Sequence, residues 1–166
     1  PETANDSAIR QTYTAVFGMP LGSNLSLTLN GVYAQEDDAG ETRTDNSKHT
    51  ANWYGYAGYL VYDHSDRASI ALRGEYFKDK DGSRLSFGSV TSKGSWDEGN
   101  DDATLKSLTI TPQFLIGEHG ILRAEFRRDF ANHEVFGRQV MTLSPSTETA
   151  QNKTQDTVSL QYIVSF

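Results

Sequence analysis

The feature that most limits what this chain can fold into is a period of two. Residues 25–33 read Leu-Ser-Leu-Thr-Leu-Asn-Gly-Val-Tyr. Leu25, Leu27, Leu29, Gly31 and Tyr33 fall on one side, and Ser26, Thr28 and Asn30 on the other. Successive side chains of an extended chain point oppositely, so strict alternation marks a strand with one apolar and one polar face. Seven segments read this way: 8–18, 24–35, 51–62, 68–78, 104–116, 121–130 and 156–166. Each runs to about ten residues, which cross about 25 Å at a rise of roughly 3.3 Å and a tilt near 45°. Strands of a soluble sandwich more often stop at about five or six residues.

The connections alternate in length. Met19–Ser23, with Pro20 and Gly22, is a tight turn, as are Asp63–Arg67 and Gly117–Gly120. Long polar stretches at 36–50, 79–103 and 131–155 separate the hairpins. Short turns at one end and long loops at the other give the sidedness of a bacterial outer-membrane barrel, with turns periplasmic and loops extracellular. The fold expected is all-β: an antiparallel transmembrane β-barrel of about seven strands. Residues 1–166 form a single barrel domain or the C-terminal segment of one.

Composition does not contradict this. Hydrophobic residues make up 36% and the formal net charge is −7; mean hydropathy is −0.57. Such values suit a soluble acidic domain, but also a barrel, because half of each strand faces a wet lumen. The acidic excess is concentrated in loops. Asp and Glu outnumber Lys and Arg by 5 to 2 in 36–50 and by 6 to 3 in 79–103. An acidic chain without a basic face is a poor nucleic-acid partner. No apolar run reaches the roughly 20 residues of a spanning helix. With no Cys, disulfides, thiolate catalysis and Cys-based metal sites are excluded. The chain opens Pro1-Glu2-Thr3 without Met or an apolar leader, and is expected to be a mature or truncated product.

An internal repeat supports the hairpin reading. Leu72-Arg73-Gly74-Glu75-Tyr76 matches Leu122-Arg123-Ala124-Glu125-Phe126, and Leu29-Asn30-Gly31-Val32-Tyr33 carries the same Leu-x-small-x-aromatic skeleton. All three segments follow a tight turn, so the repeated unit is a hairpin. At the chain end, Val158, Leu160, Tyr162, Val164 and Phe166 place an apolar residue at every second position. This resembles the C-terminal signature that the barrel-assembly machinery recognises. The resemblance implies that machinery as a partner, outer-membrane lipid as the surroundings and a periplasmic C-terminus. With Phe166 at the periplasmic rim, Phe17, Tyr59, Phe114 and Tyr162 fall toward that side. Tyr33, Trp53, Tyr76 and Phe130 fall toward the outer side. Two aromatic girdles at headgroup depth are expected.

Further residues carry a family resemblance. Trp53-Tyr54-Gly55-Tyr56-Ala57-Gly58-Tyr59-Leu60 and Ala71-Leu72-Arg73-Gly74-Glu75-Tyr76-Phe77-Lys78-Asp79 resemble a hairpin of the OmpL-like β-barrel porins. Leu122-Arg123-Ala124-Glu125-Phe126-Arg127-Arg128-Asp129 resembles a later hairpin of that family, and the similarity covers about residues 50–166. It implies a channel for small solutes in a bacterial outer membrane, with no cofactor and no catalytic residues. Family members are longer than this chain.

Counting the strands adds a constraint. Seven strands with a periplasmic end put the start of the first strand outside. Complete bacterial barrels have even strand numbers, and open edges in lipid leave backbone groups unpaired at several kcal/mol each. Two readings stand. In one, the chain is part of a larger barrel, the remaining strands coming from another polypeptide or a missing N-terminal part. In the other, a further strand exists, with His133–Leu143 and Arg84–Ser92 as candidates.

Candidate chemistry lies on the inward face. Arg73, Glu75, Gln113, Arg123, Glu125 and Arg127, with Ser69, Ser107, Thr109, Thr111 and Asp129, form a polar wall. A charged wall biases which ions pass; the same charges also brace it by pairing. The four His residues, His49, His64, His119 and His133, are read in loops or turns without ligand spacing. No catalytic or metal site is expected. Asp97–Asp102 and Asp79–Gly82 lack a completing bidentate Glu and read as solvated loop. The alternatives are a non-conducting barrel that binds a partner through its acidic loops, and a soluble ligand-binding barrel.

Overall fold

A computed structural model describes residues 9–37, 50–80, 84–85, 103–140 and 148–165. These contain β1 (Arg10–Pro20), β2 (Leu25–Glu36), β3 (Ala51–Ser65), β4 (Ala68–Asp79), β5 (Ala103–Ile116), β6 (Gly120–Ala131), β7 (Phe136–Val140), β8 (Glu148–Asn152) and β9 (Thr154–Val164). Seven strands form one sheet in the order β1-β2-β3-β4-β5-β6-β9. Every neighbouring pair is antiparallel. The architecture is therefore an all-β antiparallel sheet, and it is open, with β1 and β9 at its edges. Phe166 and His49 lie outside the described residues.

The alternating segments become the seven strands, with instructive differences at their ends. β1 runs on through Pro20, where a turn is expected. Proline lacks an N–H, but at the end of an edge strand the missing donor need not break a ladder. β3 continues to Ser65 because the register shifts between Asp63 and Ser65. Such a bulge adds a residue and tightens the twist entering the turn. His64 consequently lies within β3, not in a turn. At the third turn Gly117 has φ of 66°, a left-handed conformation that glycine adopts without strain. The candidate strand His133–Leu143 is realised in part. β7 pairs with β8 in a separate two-stranded ribbon and does not interrupt the β6–β9 pairing.

The two faces differ sharply. One hydrogen-bonded row reads Met19, Leu27, Leu60, Leu72, Ile110, Phe126 and Val158 across all seven strands. The row beside it on the opposite face includes Thr28, Tyr59, Arg73, Thr109, Arg127 and Thr157. Burial runs opposite to the rule for a soluble sheet. Thr109 is 2% exposed and Ser107 8%, while neighbouring Leu108 is 47% exposed and Leu160 on β9 74%. The sheet therefore curls around its polar face and turns its apolar face outward. The small apolar core, Ala34, Ala51 and Trp53 with Phe77 against it, sits on the inward face near the loop end.

The register is also staggered. Starting from that apolar row, the first turn begins at Leu21 soon after Met19. The second waits until Asp66 after Leu60, and the third until Gly117 after Ile110. Progressive offset between neighbouring strands is the shear that accompanies tilted strands in a closing barrel.

The polar face as candidate functional site

The polar face is built by alternate residues of the strands that supply the apolar face, so one period of two in the sequence produces both. At its centre stands Glu75 on β4. Ser107 Oγ donates to Glu75 Oε2 at 2.6 Å. Arg73 Nη2 lies 3.4 Å from the same oxygen and Arg127 Nη1 3.5 Å. Arg127 Nε donates to Asp129 Oδ1 at 2.7 Å. Arg73 Nη2 donates to Thr109 Oγ1 at 3.5 Å, and its guanidinium lies 5.9 Å from the Tyr59 ring centre. Two guanidiniums and two carboxylates balance here, as shielded charges require. The Arg73 Nε remains buried without a hydrogen-bond partner among the described residues.

Closer to the turns the pattern changes. Arg123 donates through Nε and Nη2 to Gln113 Oε1 at 3.2 and 2.7 Å. Glu125 Oε2 accepts from Thr111 Oγ1 at 3.5 Å. Each of these charges is held by a neutral cross-strand neighbour, so its field is less cancelled than that of the Glu75 group. All six expected wall residues thus lie on one face, in two groups with different electrostatics.

A third group at the loop end was not expected from the sequence. Glu36 pairs with Arg10, whose Nε donates to Oε2 and Nη2 to Oε1, each at 3.0 Å. Arg84 pairs with the same carboxylate and lies 4.1 Å over the Trp53 ring. Asp79 is fully buried, and its Oδ2 accepts from the backbone N–H of Arg84 at 2.6 Å and of Leu85 at 2.8 Å. The solvated-loop reading of Asp79 is therefore corrected: it fixes the chain beyond β4 against the polar face.

Two aromatic assignments are corrected as well. Trp53 and Tyr59 lie on the polar face, not in an outward girdle. Both share parity with Ala51, Gly55 and Ala57, whereas the outward series of β3 is Tyr54, Tyr56, Gly58, Leu60 and Tyr62. Position along the strand suggested a girdle, but side-chain parity decides the face. Phe17, Tyr33, Tyr76, Phe114, Phe130 and Tyr162 do lie on the apolar face, with Val158, Leu160 and Val164 of the end pattern.

Chemically, the face offers charges and hydrogen-bonding groups, and the short hydroxyl–carboxylate contact from Ser107 to Glu75 is shared with two guanidiniums. No helix among the described residues is long and apolar enough to cross a membrane, which says nothing of strands. Comparison with protein families finds a match to the family described as Putative beta-barrel porin-2, OmpL-like, over residues 1–166. Comparisons with curated proteins and with solved structures give no match.

Proposed function

Because the chain belongs to the OmpL-like β-barrel porin family, we propose that it forms part of an outer-membrane channel for passive diffusion of small solutes. The observation that carries this reading is the inverted burial of the sheet: shielded charges inside, and exposed Leu, Ile, Phe and Tyr outside, where the Arg128–Asp156 charges neutralise each other in a two-pronged pair. Water on the outer face would oppose that arrangement, whereas lipid favours it. The polar face then lines the pore. Arg73, Glu75 and Arg127 brace the wall, and Arg123 and Glu125 bias the passing ions. The tight turns lie in the periplasm and the long loops outside, with the alternating end of β9 read by the barrel-assembly machinery.

The described residues supply seven strands of the wall, and the rest comes from further strands. β1 and β9 hold the first and seventh places in an antiparallel series, so they run the same way. Pairing them directly would be parallel; antiparallel closure requires an odd number of added strands. Unpaired edges in lipid cost several kcal/mol per backbone group, which makes such completion necessary. The strands come from an earlier part of a longer chain or from a second polypeptide.

Planar-bilayer recording on the intact outer-membrane species tests the reading. Discrete conductance steps are expected, with Arg123→Gln moving the reversal potential toward cation preference. Absence of steps from a species that resists extraction without detergent would sink the channel. Intact-mass measurement of the same species tests completion, and a closed barrel composed of residues 1–166 alone would refute it.

A further inference from the structure

Outside the polar face, the apolar surface of β1–β4 has a local hollow. Ala15, Gly31, Gly58 and Gly74 present little or no side chain, between walls of Phe17, Leu29, Tyr56 and Tyr76. The resulting trough holds about 490 Å³. On its loop side lies a tyrosine platform: Tyr54, Tyr56 and Tyr76, with ring centres 5.7 to 6.2 Å apart. Beyond the platform come three lysines. Lys106 Nζ lies 5.9 Å from the Tyr76 ring centre, and Lys80 Nζ 5.9 Å from that of Tyr54. Lys78 is the direct cross-strand neighbour of Tyr54. Among the described residues no carboxylate pairs with Lys80 or Lys106.

Apolar trough, aromatic platform and cationic cap follow in that order along the outward face. The order is that of a lipid: acyl chain, interfacial region and phosphate. We propose that this surface is a binding site for a phosphorylated, acylated glycolipid of the outer leaflet. The phosphate meets Lys78, Lys80 and Lys106, the headgroup lies on the tyrosines, and one acyl chain fills the trough. Lysines at a membrane surface attract anionic headgroups with an energy that corresponds to about a fivefold gain each, and amphipathic rings settle at headgroup depth. The proposal rests on the orientation given above, since lysines on the loop side meet the outer leaflet only if the loops are extracellular. A phosphorylated glycolipid, not a phospholipid, is the occupant argued from that position, because a three-lysine cap exceeds what one phosphodiester needs.

The test titrates the whole chain in detergent micelles with bisphosphorylated lipid A, dephosphorylated lipid A and phosphatidylglycerol. Preferential binding of the bisphosphorylated form is expected. The Lys80→Gln, Lys106→Gln double variant should weaken it by about 25-fold, the product of two fivefold losses. Gly74→Leu should weaken it by about tenfold or more by filling the trough. A Cβ at Gly74 meets no atom within 4 Å, and gel mobility of each variant checks that it folds like the parent. Equal binding of phosphatidylglycerol, or unchanged affinity in the double-lysine variant, overturns the lipid site. Glu134→Cys, at an exposed loop-end position outside the trough and its lysines, probed with an impermeant maleimide on intact cells, separates the two readings. Labelling alongside failed lipid selectivity overturns the site and leaves the orientation standing, whereas protection from label overturns both.

Discussion

Leu72→Arg places the membrane reading at risk. Leu72 is 41% exposed on the outward face, between Leu60 and Ile110 in the apolar row. If water covers that face, the change removes about half of a leucine's burial, on the order of 1 kcal/mol, and the arginine stem replaces part of it. If lipid covers it, an arginine near the bilayer midplane costs about 2–4 kcal/mol. That is roughly a 30- to 900-fold drop in the folding equilibrium constant. The control is Ser159→Arg on β9, which lies on the polar face opposite Glu125. It gains a carboxylate neighbour, and its expected change is within about 0.5 kcal/mol. Urea titrations of the protein folded into phosphatidylcholine vesicles, with the folded fraction read from gel mobility, would measure both. A Leu72→Arg loss below about 1 kcal/mol, or equal losses for the two variants, would refute a lipid-facing surface.

Three other outcomes follow from the side-chain geometry. Glu75→Gln removes the carboxylate shared by Arg73 and Arg127 while keeping a partner for Ser107. With these side chains about a third exposed, the loss should stay near about 1 kcal/mol, and the reversal potential should move toward anion preference; an unmoved potential would remove Glu75 from the conducting path. Gly120→Ala should destabilise by about 1–3 kcal/mol, because its Cβ would lie 2.7 Å from Ile116 O and 2.8 Å from Tyr162 Oη. Adding Tyr162→Phe should recover part of that loss in the same urea titration, and no recovery would mean the hydroxyl is not the obstacle. Arg84→Ala should red-shift Trp53 emission and raise unit conductance by releasing the chain after Asp79 from the polar face, so an unchanged spectrum and conductance would contradict the contact at 4.1 Å.

The parts of the fold that follow from period-two patterning were legible in the sequence. Alternation around Leu25–Tyr33 places β2 almost residue for residue. Arg73, Glu75, Arg123 and Glu125 were found because the hairpin repeat carries their parity with it. What alternation does not encode is register and loop direction. The pairing of Glu36 with Arg84 depends on a chain reversal after β4 fixed by Asp79, and Asp79 reads locally as any loop aspartate. Trp53 carried a usable signal: its odd parity with Gly55 and Ala57 opposes Tyr54 and Tyr56, and parity would have turned it inward. The open sheet edges had a sequence counterpart in the odd strand number, since antiparallel order makes parity countable without coordinates.

Alternate residues of β4 and β6 give the charged wall a stepped course. Measured from the turn end, Arg123 comes first, then Glu125, then Arg73 and Arg127, then Glu75 and Asp129, and finally Glu36 and Asp79 with Arg10 and Arg84. Sign changes at nearly every step, and the steps are shared chiefly between β6, with Arg123, Glu125, Arg127 and Asp129, and β4, with Arg73, Glu75 and Asp79. The charges do not gather into one ring at one depth; they climb the wall as alternating treads. An ion of either sign standing on one tread has an attractive one within a step above or below, so no single tread holds it deeply. In the proposed channel such a potential would be shallow and corrugated, suited to throughput of mixed small ions more than to retention of one.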